Sequence, residues 1–428
     1  MWIGSHRALA AILVVVVLSV FAAPSRAQEA ARTRGSDYAA LPREAWTAVR
    51  DNYLDPSYGG VDWAAVGREY LGRSPAARDE AYDVIRSMLG RLGDPSVRFL
   101  APEGWQALQA DFAGVPRPGL GLTELLSVDI GARTRTLTIV TPEPNTPAAR
   151  AGLQSGDVIA AIDGVATDTL DLGRAAVRMR GPVGSPVRLT IRRGDRRFDV
   201  TLTQEMLPAL SDSAIGRARH EGGLTIGYVD FVRFVPGVST AVRRELERLM
   251  DDGVDAWLLD LRNDGGGAVD ELVALAEMFL GPDRPIASLP GRTDTLRLRT
   301  SEPALTDLPL AVLVNTGSAS AAEALSGALQ ANERAVVIGE PTFRKGLAHS
   351  AQPLSDGSVV MVPIGRLKTP RGRDILDEGI APDIVAHGDR SPKLDPGLEV
   401  AGPDDVLYQR AVEWLKDRLR AHRSGGRR

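Results

Sequence analysis

The sequence contains no cysteine among its 428 residues. A disulfide framework and a thiol nucleophile are therefore both excluded, so any covalent catalysis would have to use an oxygen or an amine. Histidine is scarce as well, and its five occurrences show no HxH or HxxxH spacing: His6, His220, His349, His387 and His422. This scatter predicts no metal site, and no cofactor is expected.

An excess of positive charge is also lacking, since 51 Lys and Arg against 55 Asp and Glu give a formal net charge of −4. Nucleic-acid binding needs a basic face, so no nucleic-acid partner is predicted. With 43% hydrophobic residues, a chain of this length is long enough for two or three globular units, each with its own core.

A long apolar run occurs at the start of the chain. Residues 1–27 combine the basic Arg7, an apolar run of 16 residues from Ala8 to Ala23, and small residues just before a break at Ala27. This pattern is typical of a cleaved export signal, and the run is shorter than the roughly 20 residues of a membrane-spanning helix. We therefore expect an exported protein with no stable membrane span after signal removal.

The rest of the chain divides into four stretches. Residues 38–110 are predicted to be helical, because apolar side chains recur there at helical spacing. Residues 114–205 change to short β-rich runs and predict a small β domain. Over residues 220–390, apolar strands alternate with helices, which predicts a sheet covered by helices, with a hairpin around Asp356-Gly357. Residues 391–428 predict one helix and a basic tail.

The β-rich stretch contains the glycine loop Gly119-Leu120-Gly121-Leu122, followed by NTPAARAGLQSGDVIAAIDG at 145–164. Such glycines leave backbone N–H groups uncovered to cradle a carboxylate, and a neighbouring strand edge can pair with an extended peptide. The two segments together resemble a PDZ domain. The resemblance implies that the loop binds protein or peptide substrates with free C-termini; the alternative is a plain tight turn.

The stretch NTGSASAAEALSGAL at 315–329 predicts a strand that passes directly into a helix. It contains three serines, Ser318, Ser320 and Ser326. Ser320 precedes Glu323 by three residues, which is the spacing of a capping box at a helix start. Ser320 is therefore either a helix cap or a nucleophile, and the stretch alone does not distinguish the two.

Two further segments give Ser320 a chemical context. Together with SASAAE, the segments DLRNDGGG at 260–267 and TFRKG at 342–346 resemble the carboxyl-terminal processing (tail-specific) proteases. They most resemble the cyanobacterial and chloroplast branch that trims the photosystem II reaction-centre precursor. That family uses a serine and a lysine 25 residues apart, the spacing of Ser320 and Lys345. The resemblance implies a multidomain α/β and α+β protein: a crotonase-like α/β protease core with an inserted PDZ domain and an N-terminal helical region.

The resemblance also assigns roles around the two residues. A neutral, desolvated lysine can take the proton of a serine hydroxyl, so Lys345 would be the base. The N–H groups of Ala321, at the positive end of a helix, and of Gly266 would form the oxyanion hole. Glu323 and Thr342 would support the site.

Several positions depart from the family pattern, and three of them bear on the proposed site. Arg344 stands in place of the glycine of TFGKG, and Gly265 in place of the proline of DLRNNPGG. His349 replaces a glutamine that orients the amine. Neutral, His349 would accept a hydrogen from Lys345; protonated, it would repel the ammonium, which predicts a fall in activity as pH drops through the histidine range.

The leading hypothesis is an exported serine endopeptidase that cleaves C-terminal tails, located in the periplasm or the thylakoid lumen. An alternative, favoured by Arg344 and His349, is a proteolytically impaired tail-binding adaptor or holdase. A Ser-His-Asp hydrolase is disfavoured, because Ser318 and Ala322 stand where the G-x-S-x-G elbow needs glycine. The sequence leaves an activating partner and self-association open.

Overall fold

A computed structural model of the chain describes residues 38–129, 134–170, 172–388, 391–395 and 397–425. Residues 1–27, assigned above to an export signal, lie outside the described residues. Within the described ranges, every helix is too short or too polar to cross a membrane.

The N-terminal part is helical, as predicted, apart from one short strand. The apolar side chains of its third helix recur on one face and are buried, among them Ile85 and Met88 at 0% exposure. Asp62 caps the second helix by accepting the Ala65 N–H at 2.9 Å. The elements are α1 Leu41–Asn52, a 3₁₀ turn Tyr58–Gly60, α2 Trp63–Tyr70, α3 Arg78–Gly90, β1 Arg98–Leu100 and α4 Pro102–Ala113.

The middle part is an antiparallel sheet with strand order β3-β4-β5-β7-β8 and short helices at its edges. Alternate side chains of its strands point into one small core that contains Leu137, Ile159 and Leu189. The elements are β2 Arg117–Gly119, β3 Leu122–Asp129, β4 Thr134–Pro142, α5 Pro147–Arg150, β5 Val158–Ile162, β6 Val165–Ala166, a 3₁₀ turn Thr167–Thr169, α6 Leu172–Arg178, β7 Pro186–Arg193, β8 Arg196–Thr203 and β9 Glu205–Leu207.

The C-terminal part is a sheet of order β10-β11-β12-β15-β16-β19, parallel except for β10. Its predicted strands and helices are confirmed. The elements are β10 Ile215–Glu221, β11 Leu224–Asp230, α7 Val238–Asp251, β12 Ala256–Asp260, α8 Val269–Leu280, β13 Pro285–Pro290, β14 Thr295–Arg299, β15 Leu310–Val314, α9 Ala321–Ala331, β16 Val336–Gly339, β17 Leu347–Pro353, β18 Val359–Arg366, α10 Ile375–Glu378, β19 Ile384–Val385 and α11 Val406–Gly425.

The inner strands of this sheet, such as β12 and β15, are almost wholly apolar and buried because helices cover both faces. In β12, Leu258 packs in a cluster with Tyr408 and Leu415 of α11, whereas Leu259 belongs to the cluster formed with α7, α8 and α9. Both leucines are at most 1% exposed. A sheet buried on both sides has no polar face, which explains the unbroken apolar run AWLL in β12.

The predicted hairpin around Asp356-Gly357 is confirmed as β17 and β18, but it leaves the core sheet. It pairs with β1 of the N-terminal part, with Phe99 opposite Val360. Val360 and Val362 are buried among the N-terminal helices. The N-terminal part is therefore attached, through β18, to the hairpin whose first strand begins two residues after Lys345.

Candidate active site

The three motif segments meet at one edge of the core sheet. DLRNDGGG follows β12, the serine segment follows β15, and TFRKG follows β16. These strands are adjacent and parallel, so their carboxyl ends lie side by side, which is where α/β sheets place their sites.

Ser320 occupies the turn between β15 and α9 in an unusual backbone conformation, with φ 57° and ψ −113°. A positive φ is uncommon for a residue with a side chain and is found where surrounding structure enforces it, often at functional sites. The other two serines are buried and bonded to backbone. Ser318 Oγ donates to the Leu261 carbonyl at 2.7 Å, and Ser326 Oγ to the Ala322 carbonyl one helical turn earlier at 2.8 Å. Ser320 forms a capping box with Glu323 at the start of α9, and it is the serine of this stretch that is only partly buried.

Glu323 is completely buried and joins the serine segment to the lysine segment. Its Oε2 accepts the backbone N–H groups of Ser320 and Lys345, each at 2.8 Å. Its Oε1 accepts the Arg344 N–H at 2.8 Å and the Thr342 hydroxyl at 2.5 Å. Burial raises the pKa of Glu323, and these four donors oppose that shift. Glu323, which the spacing predicted as the capping-box partner of Ser320, is thus also the link between the two motifs.

Lys345 is half-buried, and its Nζ lies 3.5 Å from the carbonyl oxygen of Gly265. Gly265 belongs to the glycine run after β12, so the lysine reaches across to that loop. The side chain of Arg344, by contrast, is exposed. It does not crowd the site, but its backbone has φ 74°, a conformation natural for the family's glycine.

The two predicted oxyanion donors lie together beside Ser320. A Cβ built on Gly266, whose φ is 82°, would lie only 2.7 Å from both the Ala321 nitrogen and the Ser320 Cβ. Only glycine fits at this approach of the two loops. The Gly266 N–H itself, however, donates to Oδ1 of Asp264 at 2.8 Å.

Asp264 was missed by sequence reasoning. It is 0% exposed, and burial raises its pKa to about 8. An acid two residues before a glycine N–H is the spacing of an Asx turn, which would have been the signal for this contact.

His349 lies in β17 with its Nε2 3.1 Å from the Ser96 carbonyl, so it is bonded toward the N-terminal part. Burial first, and then the charge of Arg98, lower its pKa to about 3; the charge of Lys345 acts in the same direction. An imidazole with this pKa stays neutral throughout the range from pH 5 to 8. The prediction that activity falls as His349 protonates in the histidine range is therefore wrong for this environment.

The glycine loop of the middle part turns its carbonyls into the domain. The Leu120 and Gly121 carbonyls accept the Ala148 and Glu143 N–H groups at 3.0 and 2.8 Å. Since a trans peptide directs its N–H opposite to its C=O, the N–H groups of Gly121 and Leu122 point the other way. Gly119 pairs with Glu205, and the Leu120 side chain is buried in the domain core at 4% exposure. Leu122 is partly buried against the same core.

The middle part contacts the core beside the catalytic segments. Ser155 Oγ donates to the Thr316 carbonyl at 2.7 Å, four residues before Ser320. Thr123 of β3 packs on Gly265, since a Cβ built there would lie 2.9 Å from Thr123 Cγ2. The middle part is therefore in contact with both loops that hold the candidate site.

Comparisons with known proteins agree with this arrangement. Residues 225–386 match peptidase family S41, residues 138–193 match the PDZ domain, and residues 41–90 match the Tricorn protease C1 domain. The chain is 37% identical over 375 residues to a carboxyl-terminal-processing protease of Synechocystis sp., covering 87% of this chain and 85% of that protein. It is also 37% identical over 346 residues to the chloroplastic carboxyl-terminal-processing peptidase 2 of Arabidopsis thaliana, covering 79% of this chain and 67% of that protein.

Among solved structures, the chain superposes on a photosystem II D1 C-terminal processing protease with a TM-score of 0.76 at 31% identity, covering 87% of this chain and 98% of that one. Fold and matches together define a multidomain α/β serine protease with a PDZ domain. The chain belongs to peptidase family S41, in its group of carboxyl-terminal-processing proteases.

Proposed function

We propose that the protein is an exported serine endopeptidase that binds the C-terminal tails of proteins through its PDZ domain and cleaves them with Ser320 and Lys345. The observation that carries this proposal is the shared acceptor Glu323 Oε2, which ties the backbone of both residues to one buried atom. The segments that bear the nucleophile and the base are thereby held together.

In the proposed reaction, the neutral amine of Lys345 takes the proton of the Ser320 hydroxyl as its oxygen attacks the scissile carbonyl. The oxyanion that forms is stabilised by the N–H of Ala321, the first residue of α9, and by that of Gly266. Lys345 then gives its proton to the leaving amine, and water hydrolyses the acyl-enzyme by the same steps in reverse. Thr342 and Glu323 position the two segments.

His349 is assigned a supporting role as a neutral group. Its hydrogen bond to the Ser96 carbonyl anchors the start of β17 to the N-terminal part, close to the base. The ring is thereby held near Lys345 without becoming charged near neutral pH.

The loop from Gly119 to Leu122 is proposed to receive the carboxylate of the tail. Its outward N–H groups support this role, and Leu120 supports the loop from the domain core. The buried Leu120 leaves the partly buried Leu122 as the side chain of this loop that can contact the tail's last residues.

Export rests on residues 1–27 and on the relatives, which include cyanobacterial and chloroplast processing proteases. A periplasmic or thylakoid-lumen location follows from this proposal. Fractionation of cells that produce the full chain tests it, and retention of an uncleaved chain in the cytoplasm would contradict it.

The catalytic assignment is tested on a protein substrate with a free apolar tail and on the same substrate with its C-terminus amidated. We expect Ser320→Ala and Lys345→Ala to abolish cleavage. Ser326→Ala is the matched control, because its hydroxyl bonds only within its own helix. Amidation should raise KM. Cleavage that persists in both the Ser320 and Lys345 variants would refute the assignment.

The adaptor or holdase remains a second candidate, because the backbone at Arg344 is strained where the family has glycine. The same assay separates the two candidates. Tight binding of the free tail by the wild-type chain without Ser320-dependent cleavage would favour the adaptor.

A further inference from the structure

The acid Asp264 holds the backbone N–H on which the proposed oxyanion hole depends. Its Oδ1 accepts the Gly266 N–H at 2.8 Å, whereas its Oδ2, also buried, has no hydrogen-bond partner among the described residues. Its backbone carbonyl accepts the Ala319 N–H at 2.8 Å, directly before the nucleophile. Asp264 is therefore fixed beside Ser320 and bonded to a group that the proposed reaction needs.

One peptide unit engages both parts of the proposed machinery. The Gly265–Gly266 peptide is trans, so its C=O and N–H point to opposite sides. The Gly265 carbonyl lies toward Lys345 Nζ, and the Gly266 N–H lies toward Asp264. The lysine amine is then not fully directed at the Ser320 hydroxyl, and the Gly266 N–H is not directed at a substrate carbonyl.

We propose that Asp264 is a positioning residue that holds the Gly265–Gly266 peptide in a resting orientation, and that rotation of this peptide away from Asp264 completes the oxyanion hole and releases Lys345. This inference rests on the proposed function. A single rotation carries out both changes, because the C=O and N–H belong to the same rigid plane.

The local sequence makes such a rotation inexpensive. Gly265, Gly266 and Gly267 follow one another, and the last two already have φ values of 82° and 155°. Glycine crosses between such conformations without steric cost.

The strength of the contact depends on the ionisation of Asp264. Three charged groups face it: Lys393 from the C-terminal segment, Arg233 after β11, and Asp230 at the end of β11. Burial outweighs the hydrogen bond from the Gly266 N–H and the two cations, and it raises the pKa of Asp264 to about 8. Below that pH the acid holds the Gly266 N–H through a neutral hydrogen bond; above it the bond is charge-assisted and about twice as strong. The resting orientation is therefore favoured as the pH rises through about 8.

Steady-state cleavage of a tailed peptide by the full chain, from pH 6 to 10, tests the proposal. For the wild-type chain we expect kcat to fall above about pH 8. Asp264→Asn keeps an acceptor oxygen but cannot ionise, so its kcat should stay level there. Asp264→Ala removes the acceptor and should raise kcat at pH 9 by between about twofold and tenfold, with KM unchanged. Asp230→Asn is the control: it removes a nearby buried carboxyl that does not touch Gly266, so the alkaline fall should remain, with its midpoint moved to lower pH because the Asp230 charge raises the pKa of Asp264.

A decrease of kcat in Asp264→Ala, or an alkaline fall that persists in Asp264→Asn, would overturn the proposal. Hydrogen exchange of the Gly266 amide gives a readout that needs no turnover. In a Ser320→Ala background, Asp264→Ala should speed this exchange by roughly tenfold. If the wild-type chain shows no Ser320-dependent cleavage, the proposed function fails and exchange still tests the role of Asp264. If it cleaves and neither kcat nor exchange responds to Asp264→Ala, only the role of Asp264 fails.

Discussion

The backbone N–H groups of Ser320 and Lys345 donate to the same atom, Oε2 of Glu323, each at 2.8 Å. The two residues are 25 positions apart in the chain and follow different strands of the sheet. A single buried carboxylate oxygen thus anchors the backbones of the proposed nucleophile and base. This contact is open to direct test by mutation.

Replacing Glu323 should damage both activity and stability. Glu323→Ala leaves three backbone N–H groups and the Thr342 hydroxyl without their acceptor in the interior, which costs about 3 kcal/mol or more. We expect at least about a hundredfold loss of kcat, since the two segments lose their common anchor. Urea unfolding and peptide cleavage measure the two effects. Glu333→Ala, at an exposed surface pair with Arg371, is the control and should change neither.

His349 should affect stability at acidic pH and leave the shape of the neutral pH profile unchanged. Its pKa of about 3 lies below the unfolded value, so the unfolded chain binds a proton that the folded chain does not. The contribution of His349 to stability is therefore fully present above about pH 6.5 and is lost as the pH falls toward 3. His349→Gln should flatten this part of the curve, measured by urea unfolding at several pH values. If the activity profiles of the wild-type chain and of His349→Gln differ in shape between pH 5 and 8, the imidazole of His349 is not neutral in that range.

Asp264 should impose the opposite slope on stability. Its folded pKa of about 8 lies above the unfolded value, so the folded chain holds the extra proton between about pH 4 and 8. Stability should decline as the pH rises through that window. Asp264→Asn should remove the decline and be the more stable chain at pH 9, as thermal unfolding would reveal. If the stabilities of the wild-type chain and of Asp264→Asn change with pH in parallel, Asp264 is not a buried acid with a raised pKa.

Glycine at position 344 should stabilise the protein. The backbone there has φ 74°, which costs an arginine about 1 kcal/mol and glycine almost nothing. Part of the gain is offset because glycine makes the unfolded chain more flexible, so we expect a net gain of at most about 1 kcal/mol for Arg344→Gly. Arg344→Ala keeps the strain while removing the exposed side chain, and it should show no gain. If both variants are equally more stable than the wild-type chain, the gain comes from removing the arginine side chain and not from relieving the backbone.

The end of β12 depends on an ionic network with the C-terminal segment. Arg262, 2% exposed, bonds to Asp260 at 2.6 Å and to Asp405 at 2.7 Å. Asp405→Ala leaves part of a buried guanidinium unpaired, and about 3 to 5 kcal/mol of stability should be lost. Asp417→Ala removes one partner of a surface pair that is 78% exposed and should cost almost nothing. The denaturant midpoints of the two variants measure these losses of stability. Similar losses would mean that burial does not determine the cost of breaking an ion pair.

Much of the secondary structure could be predicted from local pattern. The helix from Ala321 to Ala331 and the apolar strand before it follow from side-chain periodicity, which local sequence encodes. The hairpin after Lys345 was predicted, but its partner strand β1 was not. That pairing joins segments more than 250 residues apart, and no local pattern encodes such a distance.

The sequence by itself determined which residues are candidates: an oxygen nucleophile, because the chain has no cysteine, and Ser320 with Lys345, because their spacing resembles that of a known family. Tertiary structure decided the states of the groups around them. The pKa values of His349 and Asp264 depend on burial and on charges from distant strands, and the Gly266 N–H depends on which acceptor lies nearest. These are interactions through space between segments that only folding brings together.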